Sequence, residues 1–556
     1  MNIQTADPRL YELLAEAFAA EGVDTVFTLM GDGNMHWVTA LADLPGMKVF
    51  HARHEHCACA MAIGYYSATG KPGVASTTCG PGFTQISTAL SSAAKGRVPL
   101  VVFAGESPVN VMWHNQMIDQ APIAAAVGAH YIRAHSLKLM NEYVREAFFV
   151  ARQERRPVVL GVPYDLQQQR MPRQPYLSSF SLLPRSLPTI PHDCEIAELA
   201  EKLGVAERPI ILAGRGVMRA DAERAVAELA EVSGALLATT LPGRGMFDDT
   251  GYSIGVSGGF ASPIATEFFA HADFVLAIGA GLNHHTVDGG HLFSHAFVAQ
   301  IDERPIGLVQ GRKSADFMVR SDAKLATEAL ITKFKQSPRK GSGYRTPESA
   351  EKIKRIFADD TPFAIEPDTV DPRQAVEVLD AVIPKDWDIV SGSGHSSYFY
   401  THMRNRRPEN FHVIREFGAI GNAISIAIGV AATKGNGKVV LLEGDGALIM
   451  HLQELETIKR HGLRLLICAL NDGGFGAEVH KLKADGVNEK NAQFGRPDFA
   501  SIARGFGLRG STVTDLSALP NLMVDYSAQS TAEVWNICVS ENVVSPRMRN
   551  FNSRKH

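Results

Sequence analysis

Cysteine is scarce in this chain. Six in 556 residues cannot make the disulfide framework of a small secreted scaffold, and a reduced interior suits them. An excess of charge is missing too. The 55 Lys and Arg against 59 Asp and Glu leave a formal charge of -4, which argues against a broad basic face for nucleic acid or an anionic membrane. Long hydrophobic runs are absent. The longest uncharged apolar-leaning stretch, Phe417 to Thr433, is dotted with glycine and shorter than the ~20 residues needed to cross a bilayer. The opening, MNIQTADPRLYELLAEAF, lacks a basic region followed by an apolar core. It reads as an amphipathic helix and not as a signal peptide, and the expected location is the cytoplasm.

What is present is the composition of an ordinary globular protein, 45% apolar and 21% charged. The chain is too long for one hydrophobic core, so two to four domains are expected. In a first unit, 1–166, helical patterns alternate with short apolar runs: VDTVFTLMG, MKVFHA, KPGVASTTCGPG, PLVVFAGES and PVVLGVPYD. That rhythm predicts a parallel sheet covered by helices. Residues 167–191, rich in Pro, Ser, Gln and Arg, read as a linker. A second α/β unit over 192–340 carries PIILAG, ALLATT, FVLAIGA and FVAQID, and a charged stretch over 341–369 reads as a second linker. A third unit, 370–556, shows WDIVSGSGH, KVVLLEGDG and LRLLICALNDGG as strand ends. The prediction is an α/β protein with three doubly wound parallel-sheet domains, the first and third alike in rhythm.

In such sheets ligands sit where strand ends meet helix N-termini. In KVVLLEGDGALIMHLQELETIKRHGLRLLICALNDGGFG, two turns fall at neighbouring strand ends. Gly444 and Gly446, with Ala447 behind them, let backbone amides approach a diphosphate, while Asp445 offers a ligand to a hard cation. Asp472 supplies the second oxygen, with the Gly474 carbonyl just beyond it. By contrast, His54, His56, Cys57 and Cys59 in RHEHCACA run straight into an apolar helix, so they read as buried side chains and not as a zinc site.

The paired turns resemble the thiamine-diphosphate (ThDP)-dependent 2-oxo acid decarboxylase and acetolactate synthase superfamily, whose signature is GDG followed after a helix and a strand by NN. One position departs, since the family usually has Asn where this chain has Asp472. The resemblance implies Mg²⁺ held by Asp445, Asp472 and Gly474. Upstream, EFGAIGNAISIAIG resembles the loop under the thiazolium ring. Ile420 would wedge the cofactor into its V shape, and the Gly418 carbonyl would receive its amino group. SGSGHSS resembles the loop over the diphosphate, naming Gly394, His395 and Ser396, although the family's Gln-His is absent there. The run RHEHCACAMAIGYYSATGKPGVASTTCGPG resembles the family's glutamate motif and its GPG turn at Gly80 to Gly82. Glu55 is therefore expected to drive the aminopyrimidine to its imino form. In this family the glutamate and metal motifs meet across a subunit boundary, which implies at least a homodimer, with a homotetramer expected.

The resemblance also suggests catalytic candidates. LMGDGNMHW carries Asp32 and Asn34, and WHNQMIDQAP offers Gln116 or Gln120, as in benzaldehyde lyase and acetolactate synthase. His285 lies near where benzoylformate decarboxylase places a catalytic His. Glu478 falls where pyruvate decarboxylase has its catalytic Glu, with His480 two residues on. FAD is the less favoured second cofactor, since the Arg-rich flavin segment of acetolactate synthases is replaced by GAGLNHH. The expected activity is a ThDP lyase or carboligase acting on a 2-oxo acid or a 2-hydroxy ketone through an enamine. A hydrolytic lyase of a cyclic 1,2-diketone is the alternative, favoured by the lack of an evident carboxylate-binding Arg in these motifs. A non-catalytic nucleotide or flavin carrier is opposed by Glu55 and the metal ligands occurring together.

Overall fold

The computed structural model describes residues 7–183, 187–337 and 341–553. Residues 1–6, 184–186, 338–340 and 554–556, which belong to the expected first unit, first linker, second unit and C-terminus, lie outside the described residues. Three six-stranded sheets form, each wholly parallel. In the first, the strands lie side by side as Lys48–His51, Thr25–Thr28, Gly73–Thr77, Leu100–Glu106, Pro157–Pro163 and His130–Arg133. In the second they run Phe317–Arg320, Phe297–Asp302, Phe274–Ile278, Pro209–Ala213, Leu236–Thr239 and Ser253–Val256. The third is Phe411–His412, Asp388–Ser391, Val439–Gly444, Leu466–Asn471, Glu533–Cys538 and Arg509–Val513. Numbered within each sheet, the first and third share the order 2-1-3-4-6-5, and the central sheet has 3-2-1-4-5-6. The likeness of the first and third units in sequence rhythm is a likeness of topology.

The strands are continuous apolar runs because both faces of each sheet are covered. Leu100, Val102 and Ala104 enter one core while Val101 and Phe103 enter another. Ile211 and Ala213 likewise part from Ile210 and Leu212, and Val439 and Leu441 from Val440 and Leu442. One core belongs to two sheets. The helices Glu55–Thr69 and Ala423–Lys434 have buried side chains all round, as a helix packed on every side must, and they join the first and third units in a single cluster.

The two expected linkers are pinned to their neighbours. Within 167–191, Ser179 N–H and Tyr176 Oη donate to the buried Glu21 carboxylate at 2.6 and 2.8 Å. The stretch 341–369 contains a helix, Pro347–Lys354, which sends Ile353 into the central core. All six cysteines are free, and no helix among the described residues is long and apolar enough to cross a membrane. Cys57 and Cys59 are buried, and His56 Nε2 lies 2.6 Å from Asn422 Oδ1, so these side chains serve the packing of the two shared helices.

Candidate functional site

The third sheet reverses its winding between Asp388–Ser391 and Val439–Gly444, and a crevice opens at their carboxyl ends. Asp445 stands there as the first residue of a short helix. Its Oδ1 accepts from Gly446 N–H and its Oδ2 from Gly473 N–H, both at 2.7 Å. Asp472 opens the turn after the neighbouring strand and accepts from Gly474 N–H at 3.3 Å. Both carboxyls are held above the usual carboxylate range, first by burial; for Asp472 the charge of Asp445 adds to it. A buried acid and a half-buried one that repel one another form an all-oxygen donor set, and a divalent cation would relieve both penalties. These residues fit Mg²⁺.

Two glycines of the loops that line the cleft stand open. Gly394 and Gly418 have φ of +106° and +77°, and a Cβ at either would meet no atom within 4 Å. Such positions exclude ordinary side chains and leave room for a ligand against the main chain. Gly444 is crowded, its absent Cβ lying 3.1 Å from Ser396 Oγ, so the two loops close on each other. His395 Nε2 accepts from Ser545 N–H at 3.0 Å, and its ring meets that of His480 edge-on, centroids 4.4 Å apart. Burial holds His395 well below the usual histidine range and His480 down to about 4, with Lys483 adding to the latter, so both stay neutral.

A cleft of about 1580 Å³ runs from these loops to the central unit. Gly394, Gly418, Ile420 and Glu478 line it, and His285 faces it from the central sheet's loop. Glu478 sits in the helix Gly476–Ala484, more than half exposed, ion-paired to Lys481 at 3.3 Å. Burial lowers His285 from its ordinary value, and Arg547 lowers it further. His480 is not among the lining residues; it supports His395 instead.

Glu55, Gly82 and Gln116 form a separate wall on the first unit. Glu55 opens its helix, and a Cβ on Gly82 would lie 3.3 Å from Glu55 Oε1 and 2.6 Å from Thr77 Oγ1. Gln116 Oε1 accepts from Cys79 Sγ at 3.2 Å beside the same turn. None of these residues lines the cleft. The other candidates nearby are engaged in the fold: Gln120 Nε2 donates to Gly105 O at 3.1 Å and Tyr131 Oη at 3.0 Å. The fully buried Asn34 donates to Ser76 Oγ at 2.9 Å and accepts from Gly31 N–H at 2.8 Å, which makes it a turn staple. Asp32 is exposed.

The pocket motifs offer no evident carboxylate-binding arginine, but the fold supplies candidates. Arg415 and Arg547 both line the cleft. Arg415 is legible beforehand, three residues before Gly418. Arg547 lies in a C-terminal helix that carries no motif and comes to the cleft only through the fold.

Three segments of the chain match domains of one known family. Residues 8–123 match the N-terminal TPP binding domain of the thiamine pyrophosphate enzymes, 196–330 their central domain and 392–531 their C-terminal TPP binding domain. The acetolactate synthase isozyme 2 large subunit of Escherichia coli (strain K12) is 28% identical over 509 residues, 90% of each chain. The probable acetolactate synthase 2 of Oryza sativa subsp. japonica chloroplasts is 28% identical over 538 residues, 90% of this chain and 79% of its own. The probable acetolactate synthase large subunit of Methanococcus aeolicus is 26% identical over 525 residues, 90% of this chain and 87% of its own.

Proposed function

This chain belongs to the thiamine pyrophosphate enzymes, with their N-terminal, central and C-terminal domains in order, and on that basis we propose that it is a Mg²⁺-requiring carbon–carbon lyase or carboligase that takes a 2-oxo acid or a 2-hydroxy ketone. The observation that carries this reading is the pair of Asp445, buried, and Asp472, half-buried, together with the open glycines Gly394 and Gly418. When bound, ThDP supplies an electron sink beside a carbonyl carbon. Asp445, Asp472 and the Gly474 carbonyl would hold the metal. Gly394, His395 and Ser396, with Gly444, Gly446 and Ala447, would flank the diphosphate, while Gly418 and Ile420 would shape the rings.

The protein's own chemistry is proton placement and exclusion of water. Glu478 reaches the cleft and would hand a proton to, or take one from, the reacting carbon or oxygen. Because the glutamate and metal motifs of this family meet across a subunit boundary, Glu55 of the partner subunit would hold the proton at the aminopyrimidine ring nitrogen. A homodimer is then the smallest active form, and a homotetramer the expected one. The six free cysteines support a cytoplasmic setting. Arg415 and Arg547 favour an acidic substrate over a neutral cyclic diketone. FAD remains the weaker second-cofactor reading, supported by Arg97, Arg215 and Arg219 along the cleft wall; flavin absorbance of the purified protein tests it.

Calorimetry with ThDP and MgCl₂ tests the main reading. Asp445→Ala is expected to weaken ThDP binding roughly 10- to 100-fold, the worth of one or two charge-assisted contacts. Undiminished binding removes Asp445 from the metal site. Mass spectrometry of products from pyruvate, benzoylformate, benzoin and cyclohexane-1,2-dione identifies the reaction.

A further inference from the structure

Two cations on the cleft wall are given no specific contact by the roles above. Arg415 lies three residues before Gly418, and Arg547 two residues after Ser545, whose N–H is held 3.0 Å from His395 Nε2. Both are thus anchored to the loops assigned to the cofactor. Their guanidinium carbons lie 5.2 and 4.4 Å from the ring centroid of Phe260, which reaches over from the central unit. The two positive groups share one apolar surface.

Arg415 is not fully partnered. Arg415 gives Nη2 to Ser391 Oγ, but its Nε and Nη1 are buried with no hydrogen-bond partner among the described residues. The adjacent acid, Glu416, lies against Arg215 at 3.1 Å. Burial lowers Arg415 to about 10, and the nearby charge of Arg547 presses the same way. Arg547 is itself lowered by burial, with Asp288 the carboxylate that offsets its charge. Withdrawing a guanidinium from water with idle donors, beside a second cation, is costly unless an anion arrives to accept those hydrogen bonds.

We propose that Arg415 and Arg547 together bind a carboxylate that the substrate keeps through the reaction. The proposal rests on reading the cleft as the ThDP site. A carboxylate leaving as carbon dioxide loses its charge as the bond breaks, so a cation gripping it would stabilise the ground state over the transition state. Two arginines suit an acid group whose charge persists, and their planar donor sets match carboxylate geometry. The substrate class is therefore an acid with a second carboxylate, carried by either the donor or the acceptor.

The test uses calorimetry on the ThDP- and Mg²⁺-loaded protein, with glutarate as the probe and pentanoate as its single-carboxylate counterpart. Glutarate is expected to bind more tightly than pentanoate, and at least about tenfold more weakly to Arg547→Gln and Arg415→Gln. Arg547→Lys should keep part of the affinity, and ThDP binding should be unchanged in all three variants. Equal glutarate binding by wild type and variants, or none by wild type, overturns the proposal. Loss of ThDP affinity in the Arg547→Gln and Arg415→Gln variants also overturns it, by assigning the arginines to the diphosphate. A wild type that takes no ThDP refutes the earlier reading instead, and glutarate titrated without cofactor still decides for or against the arginine pair. Mass spectrometry then assigns the source. Loss of carbon dioxide from 2-oxoglutarate alone makes the carboxylate the donor's, and its appearance only as the acceptor part of a product formed with pyruvate makes it the acceptor's.

Discussion

Gly64 and Gly429 mark the crossing of two buried helices, each so close to the opposite helix that a Cβ on either would overlap a carbonyl oxygen, that of Ile426 or of Met61. The helices are Glu55–Thr69, which Glu55 opens, and Ala423–Lys434, which follows the Gly418 to Ile420 loop. Their separation sets where both cofactor-facing segments stand.

Gly429→Ala should therefore destabilise the protein by about 1–3 kcal/mol, the usual cost of overpacking a core. It should also weaken ThDP binding although residue 429 touches no proposed ligand of the cofactor. Thermal midpoints and calorimetry read the two effects, and a variant as stable as wild type would mean that the helices part without cost.

Glu55→Gln should bind ThDP yet lose exchange of the thiazolium proton for deuterium, because an amide cannot pass on the proton that a carboxyl can. The proposed division of the site between chains gives a sharper check. When Glu55→Gln and Asp445→Ala subunits are mixed and reassembled, half of the dimers are hybrids with one intact site each, so about one quarter of wild-type activity should return. If nothing returns, the glutamate motif's Glu55 and the metal pair serve within one chain.

Glu478→Gln should leave ThDP affinity unchanged and slow the step that consumes a proton by about 10²–10⁴-fold. The Lys481 pair holds Glu478 only as an exposed ion pair does, weakly, so the carboxylate can turn toward the cleft. Rapid acid quench followed by NMR should show substrate addition proceeding normally and the following protonation stalled. Normal turnover would pass the role to His285.

His402 is buried between the rings of Phe357 and Tyr398, at 4.8 and 4.7 Å, with neither ring nitrogen hydrogen-bonded among the described residues. Burial, with Arg244 and Arg404 nearby, holds it down to about 3. Its folded form thus resists the proton that the unfolded chain accepts near pH 6.5, so the stability present above pH 6.5 is lost as pH falls toward 3. The slope is about 1.4 kcal/mol per unit, roughly 2 kcal/mol by pH 5. His402→Leu should flatten the fall in thermal midpoint between pH 7.5 and 5, and an unchanged slope would place the acid sensitivity elsewhere.

The three-unit α/β organisation is legible in the sequence because strands covered on both faces must be unbroken apolar runs, as PIILAG and KVVLLEG are. Edge strands escape that rule. His130–Arg133, Ser253–Val256, Phe317–Arg320 and Arg509–Val513 are partly exposed at sheet margins and carry no run to recognise. Glu533–Cys538 is fully buried yet equally hidden, since Glu533 and Asn536 interrupt it. Their polar atoms are satisfied by Trp535 Nε1 and Ser511 Oγ, each 3.1 Å from Glu533, and by Asn471 Nδ2, 2.8 Å from Asn536.

By itself, the sequence determined the acids and glycines of the candidate cofactor site, because a phosphate-and-metal turn is local and its residues are chain neighbours. Only the tertiary structure decided which polar groups face the cleft. It engaged Gln120 and Asn34 in the fold and placed Gln116 at the CGPG turn. It also brought Arg547 to the same aromatic ring as Arg415 through the hydrogen bond from Ser545 to His395. Contacts between such distant segments depend on how helices and sheets pack, and no local spacing or period in the chain encodes them.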